Sequence, residues 1–168
     1  MDNYWIFLLI SLLAVVIAVI GYAMIFKVPY RALAISIFTA VLGFAVYDIS
    51  YHFGAAKILA FFYGSVVISL LAEIFARIIK IPATIILVIG ILPLVPGAYF
   101  YYTIEYLING NLNMALYEGL ETIGIAIALG MGILCVSTLV RLYSKIKILI
   151  KKKDSKNEQI IVIDDDDK

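Results

Sequence analysis

Apolar residues fall in five long runs along this chain, at residues 4–26, 32–51, 56–79, 82–108 and 115–142, parted by short polar or basic stretches. A helix needs about 20 mostly apolar residues to cross the hydrocarbon layer, and every run reaches that length. The pattern predicts an all-α polytopic membrane helix bundle with five transmembrane spans, joined by connections too short to hold a soluble domain. The fourth run differs from the others in carrying Pro93, Pro96 and Gly97 at its centre, within Ile91-Leu92-Pro93-Leu94-Val95-Pro96-Gly97-Ala98-Tyr99-Phe100. Each proline removes a backbone donor and crowds the preceding turn, so a helix must kink or stop there. In lipid the freed amides and carbonyls are tolerated only where protein or a water-filled cavity takes them over. The interruption is therefore where function is sought first.

Composition agrees with this pattern: 64% of the residues are hydrophobic and the mean hydropathy is +1.07, far above soluble usage. The first run has no Lys or Arg before it, exceeds a signal-peptide core and lacks a small-x-small cleavage site, so it reads as a retained span. Basic residues mark alternate connections. Lys27 and Arg31 flank the first, Arg77 and Lys80 the third, and Arg141, Lys145 and Lys147 follow the last span, whereas the second connection has only Lys57 and the fourth has none. The positive-inside rule then sets the amino terminus outside and the carboxyl terminus in the cytoplasm. Residues 1–145 read as the membrane domain and 146–163 as a basic cytoplasmic tail. The closing Asp164-Asp165-Asp166-Asp167-Lys168 has the form of an engineered protease site and is set aside.

Most polar residues admit a plain reading. The basic tail is a stop-transfer flank near an anionic leaflet, with no nucleic-acid role. Cys135 and His52 each stand alone, which leaves no disulfide, no metal pair and no cofactor motif. Asp48 and Glu105 fall at outer span ends, where solvation accounts for them. Glu73 lies deep in the third run and needs a partner, which Arg77 supplies at i+4, or a proton or substrate role. Glu118 and Glu121 share a face of the fifth run, with Glu121 nearer its interior. Small residues recur at Ser65, Ser69, Ala72 and Ala76 on the third run, and on the fifth at Gly124, Ala128 and Gly132 and at Ala126 and Gly130, so backbones can approach closely. No Ser/His, paired Asp or metal arrangement lies inside the spans, so an intramembrane enzyme is not expected.

Discontinuous helices in secondary transporters aim half-helix amino ends at anionic substrate groups. Here the second half begins just past Pro96-Gly97, and the amides of Gly97, Ala98, Tyr99 and Phe100 could receive a carboxylate. The cluster Tyr99, Tyr101, Tyr102 and Tyr106 follows directly. A kink used only for packing is the competing reading. Carriers of this kind are usually built from two related halves. No internal repeat is evident, so a second chain or another copy is expected to supply the other half.

Several motifs occur in order: Phe26-Lys27-Val28-Pro29-Tyr30-Arg31-Ala32-Leu33, Leu71-Ala72-Glu73-Ile74-Phe75-Ala76-Arg77, Lys80-Ile81-Pro82-Ala83-Thr84, and Leu92-Pro93-Leu94-Val95-Pro96-Gly97 with Tyr101. In this order and spacing the chain resembles the threonine/serine exporter family, specifically the second half that many bacteria make as a separate small subunit. The resemblance implies proton-driven antiport of threonine and serine out of the cell, with a homologous larger subunit or a homo-oligomer, in the bacterial cytoplasmic membrane. It also leaves a dicarboxylate such as succinate open as the substrate, and a non-transporting scaffold subunit is the remaining alternative. Glu73, Arg77, Pro82, Pro93, Pro96, Gly97 and Glu121 match positions of the family pattern. The expected site binds the small carboxylate-bearing substrate at Pro96, Gly97, Ala98 and Tyr101. Glu73 or Glu121 carries the coupling proton, and Pro93, Arg77 and Pro82 serve structure.

Overall fold

A computed structural model describes residues 2–166 of the backbone and the side chains of residues 4–147. The described residues form helices α1 (Asp2–Ile25), α2 (Tyr30–His52), α3 (Lys57–Ile79), α4 (Ala83–Ile91), α5 (Gly97–Ile108) and α6 (Leu112–Asp166), with a one-turn 3₁₀ helix at Leu92–Leu94. α1, α2 and α3, together with the Leu112–Lys147 stretch of α6, are each long and apolar enough to cross a membrane. Ala83–Leu94 and Gly97–Ile108 pass that test only as a pair, bent by 48°. Taken as one broken span, they bring the total to the five expected from the apolar runs. The last helix begins three residues before the expected run and continues well past Leu142, because neither proline nor glycine interrupts its basic continuation. The chain divides into two compact units, one ending at Val136 and one beginning at Ser137. Side chains of the expected basic tail beyond Lys147, and the end of the Asp-Lys run, lie outside the described residues.

Four connections close their helices in the same way. Lys27, Gly54, Lys80 and Gly110 adopt left-handed backbone with φ of 51°, 90°, 56° and 73°. The amide of the following residue reaches back to a helix carbonyl, as in Val28 to Ala23 at 2.9 Å, Ala55 to Ser50 at 3.0 Å, Ile81 to Ala76 at 3.1 Å and Asn111 to Tyr106 at 2.9 Å. This six-to-one closure takes up carbonyls that a helix end would otherwise present bare to the interface. Pro29 and Pro82 then start the next helices as N-caps, where a missing N–H is harmless.

Small residues bring the helices together. Gly43 of α2 and Gly64 of α3 meet backbone to backbone, and Ile68 fills the space beside Gly43. Ser65, Ser69, Ala72 and Ala76 are all buried on α3, as their spacing implied. On α6, Gly124 faces Ile58, Gly132 presses on Ser65, and Ala128 is buried between them. The second α6 row does not pack in this way: Ala126 is exposed, and nothing lies within 4 Å of where a Gly130 side chain would start. Leu94, in the turn after α4, is 1% exposed and joins Phe61, Ile68, Ile125 and Leu129 in one core cluster. The irregular segment is thereby anchored between α3 and α6.

A methyl group added at Gly64 would sit 2.6 Å from Leu94 Cδ2 and 3.0 Å from the Gly43 carbonyl oxygen, and that backbone cannot yield as a side chain can. Gly64→Ala is expected to destabilise the detergent-solubilised protein by about 1–3 kcal/mol. Gly130→Ala should be neutral or slightly stabilising. Thermal unfolding curves of the two variants check this, and equal midpoints would refute the helix contact.

Candidate functional site

The interruption is built in three steps. Pro93 sits inside the 3₁₀ turn and withholds a donor from the carbonyl of Ile89, four residues back. The Val95 amide closes that turn on the Leu92 carbonyl at 3.1 Å, and Val95 itself is extended. Pro96, at φ −75° and ψ 54°, then caps α5. The Gly97 amide donates to the Val95 carbonyl at 2.7 Å, and the Phe100 amide to the Pro96 carbonyl at 3.1 Å. Two of the four amides expected to face an anion are thus taken by the chain. Those of Ala98 and Tyr99, the second and third helical residues, remain as donors that helix geometry leaves unpaired.

A cavity of about 430 Å³ opens at this break, within the range of about 300–1,000 Å³ typical of small-molecule sites. Its wall takes in Pro96, Gly97 and Ala98 from the break and Tyr99 and Tyr102 from α5. Phe7 and Ser11 from α1, Phe44, Tyr47 and Asp48 from α2, and Phe61 from α3 complete it. A side chain begun at Gly97 would meet nothing within 4 Å, so glycine leaves the mouth of α5 open. Tyr101 does not line this cavity. It is 63% exposed and stands edge-on to Tyr102 at 5.6 Å, since a residue two positions after Tyr99 points to another helix face.

Glu121 is connected to the cavity wall, though indirectly. Its Oε2 forms an ion pair with Lys57 Nζ, and its Oε1 accepts from the Tyr117 hydroxyl at 3.2 Å. Lys57 lies over the ring of Tyr99, 4.7 Å from its centre. Tyr99 in turn stands edge-on to Phe61, whose ring is 4.3 Å from that of Tyr47. The carboxylate of α6, the cation of α3 and the aromatic wall therefore make one contiguous network. Glu73 is not part of it. Its carboxylate faces the Arg77 guanidinium at 3.9 Å along the same helix, as the i+4 spacing implied.

Asp48 also departs from its expected role as a solvated end group. It is half-buried in the cavity wall, and its Oδ2 accepts from the Tyr4 hydroxyl at 2.8 Å. His52 stacks on Tyr4 with ring centres 3.6 Å apart, so the start of α1 is bound to the end of α2. Lys57, Asp48 and Tyr4 are the residues that reading the chain in order did not bring out. Opposite charges near the starts of the third and fifth runs, at Lys57 and Glu121, were the available signal for the first. A second cavity, of about 330 Å³, lies beside the first connection and the start of α4, with Lys27 as its charged group. It gathers no acidic residue and shares no lining residue with the cavity at the break.

The family described as Threonine/Serine exporter, ThrE fits residues 11–139, well over half of the chain. No curated protein and no solved structure matches it.

The Lys57–Glu121 pair joins two helices and is about three-quarters shielded on both sides. A double-mutant cycle with Lys57→Met and Glu121→Gln is expected to give a coupling of about 1 kcal/mol in unfolding free energy. The same cycle on Glu73 and Arg77, longer and half-exposed at the arginine, should give less than about 0.5 kcal/mol. Equal couplings would contradict the geometry.

Proposed function

The chain belongs to the threonine/serine exporter family, and on that premise we propose that it forms half of an alternating-access carrier moving small amino acids out of the cell. One observation carries this reading: the helix interruption does not merely kink a span but opens a walled cavity onto the first turn of α5. The substrate carboxylate sits against the amides of Ala98 and Tyr99, where the partial positive charge of the helix end favours an anion. Pro96 and Gly97 hold that turn open, and Tyr99 and Tyr102 take the lining role that the sequence suggested for Tyr101.

Export against a gradient requires a coupled ion, and the proton is the simplest. Glu121 is the better placed of the two candidate carboxylates, because its network reaches Tyr99 whereas Glu73 is engaged with Arg77 on its own helix. Protonating Glu121 removes the charge that holds Lys57, and this loosens α3 from α6 beside the cavity. That is a local two-state contact of the kind a rocking mechanism needs. The other half of the carrier is a homologous larger subunit or a second copy of this chain. The positive-inside rule orients the assembly in the bacterial cytoplasmic membrane with its amino terminus outside.

Proteoliposomes containing the chain and its co-purifying partner separate the parts of this reading. Glu121→Gln is expected to abolish proton-driven threonine efflux while threonine–threonine exchange persists, and Glu73→Gln should keep both within about twofold. Gly97→Leu has room for its side chain and so should fold, yet block the cavity and lower exchange at least about tenfold. Normal transport by both Gly97→Leu and Pro96→Ala would sink the break as the substrate site.

A further inference from the structure

We propose that Asp48 is the ammonium-binding residue of the break cavity, and that it selects zwitterionic amino acids over dicarboxylates. This rests on the cavity being the transport site and goes further by naming the chemistry at its second pole. Asp48 is the one charged side chain among the residues that line the cavity. The Tyr4 hydroxyl engages its Oδ2, which fixes the carboxylate while Oδ1 carries no hydrogen bond from the described residues.

The rest of the wall suits a cation. Phe44, Tyr47, Phe61 and Tyr102 bring aromatic rings to it, and the negative face of such a ring attracts an ammonium group held within about 6 Å. Lys57, which covers Tyr99, is neutralised by Glu121 and does not itself line the cavity. A cavity whose lining holds an acid, aromatic rings and the first-turn residues Ala98 and Tyr99 offers each end of a zwitterion its complement. A dicarboxylate would set its second carboxylate against Asp48, with no basic side chain in the wall to offset the repulsion.

The test is competition against labelled threonine exchange in proteoliposomes of the full chain with its co-purifying partner. The competitors are threonine, its des-amino analogue 3-hydroxybutyrate, and succinate. Wild type is expected to favour threonine at least about tenfold over both others. Asp48→Asn should raise the half-saturating threonine concentration about tenfold and bring the threonine-to-analogue ratio near one. Tyr4→Phe removes the hydrogen bond to Asp48 but not the carboxylate, so it should lower rates while keeping the ratio. An unchanged ratio in Asp48→Asn, or Tyr4→Phe reproducing its loss of selectivity, would overturn Asp48 alone and reduce it to a helix tie. Wild type preferring succinate would overturn the proposal outright. Normal exchange by both Gly97→Leu and Pro96→Ala would instead remove the cavity reading beneath it, so the two failures are told apart.

Discussion

Every backbone donor and acceptor placed in hydrocarbon must find a partner, and this constraint shapes the whole molecule. Four helix ends meet it with reversed turns whose amides fold back onto the preceding helix. The break between α4 and α5 meets it only in part. Val95, Gly97 and Phe100 use their amides locally, and Leu94 buries the segment among α3 and α6. The donors of Ala98 and Tyr99 have no backbone partner, as is general for first-turn amides. On the proposed reading this helix start, which lies beside the break cavity, is the one that substrate completes.

Close packing makes that exception affordable. Gly43, Gly64 and Gly132 bring α2, α3 and α6 near enough that Leu94 can be held without a continuous helix beside it. Much of the outward surface is large and apolar, as at Ile17 and Met24 in α1. In a bilayer that surface faces lipid and contributes little to association between helices. The interior is thus specified by small residues, and the one irregular segment is specified by what it leans on.

Much of this could be read along the chain. Long apolar runs dictate helices in a membrane, and two prolines with a glycine dictate a break, so the fold and the location of the break were legible. The faces were less so. The family resemblance and its place after the break point to Tyr101, but helical rotation sets Tyr99 and Tyr102 along the cavity instead. Gly97 was expected to offer its amide, and a turn two residues long takes that amide first. Asp48 lay close enough to a span end to pass as solvated. Only the approach of α1, which brings Tyr4 against it, makes that carboxylate part of a wall. Lys57 and Glu121 lie far apart in sequence, and no period or local motif links them.

The residues at the reversed turns carry one more implication. At one pair of turns the left-handed position is held by Gly54 and Gly110, but at the alternate pair it is held by Lys27 and Lys80, where a side chain strains the backbone. Glycine would relax these positions. It would also erase the basic residues that, with these two turns on the cytoplasmic side as proposed, hold a newly made loop back from crossing the membrane. On that orientation the two lysines trade equilibrium stability for topogenesis: they resist the final fold slightly, and they act earlier, when the nascent chain is choosing which way to thread.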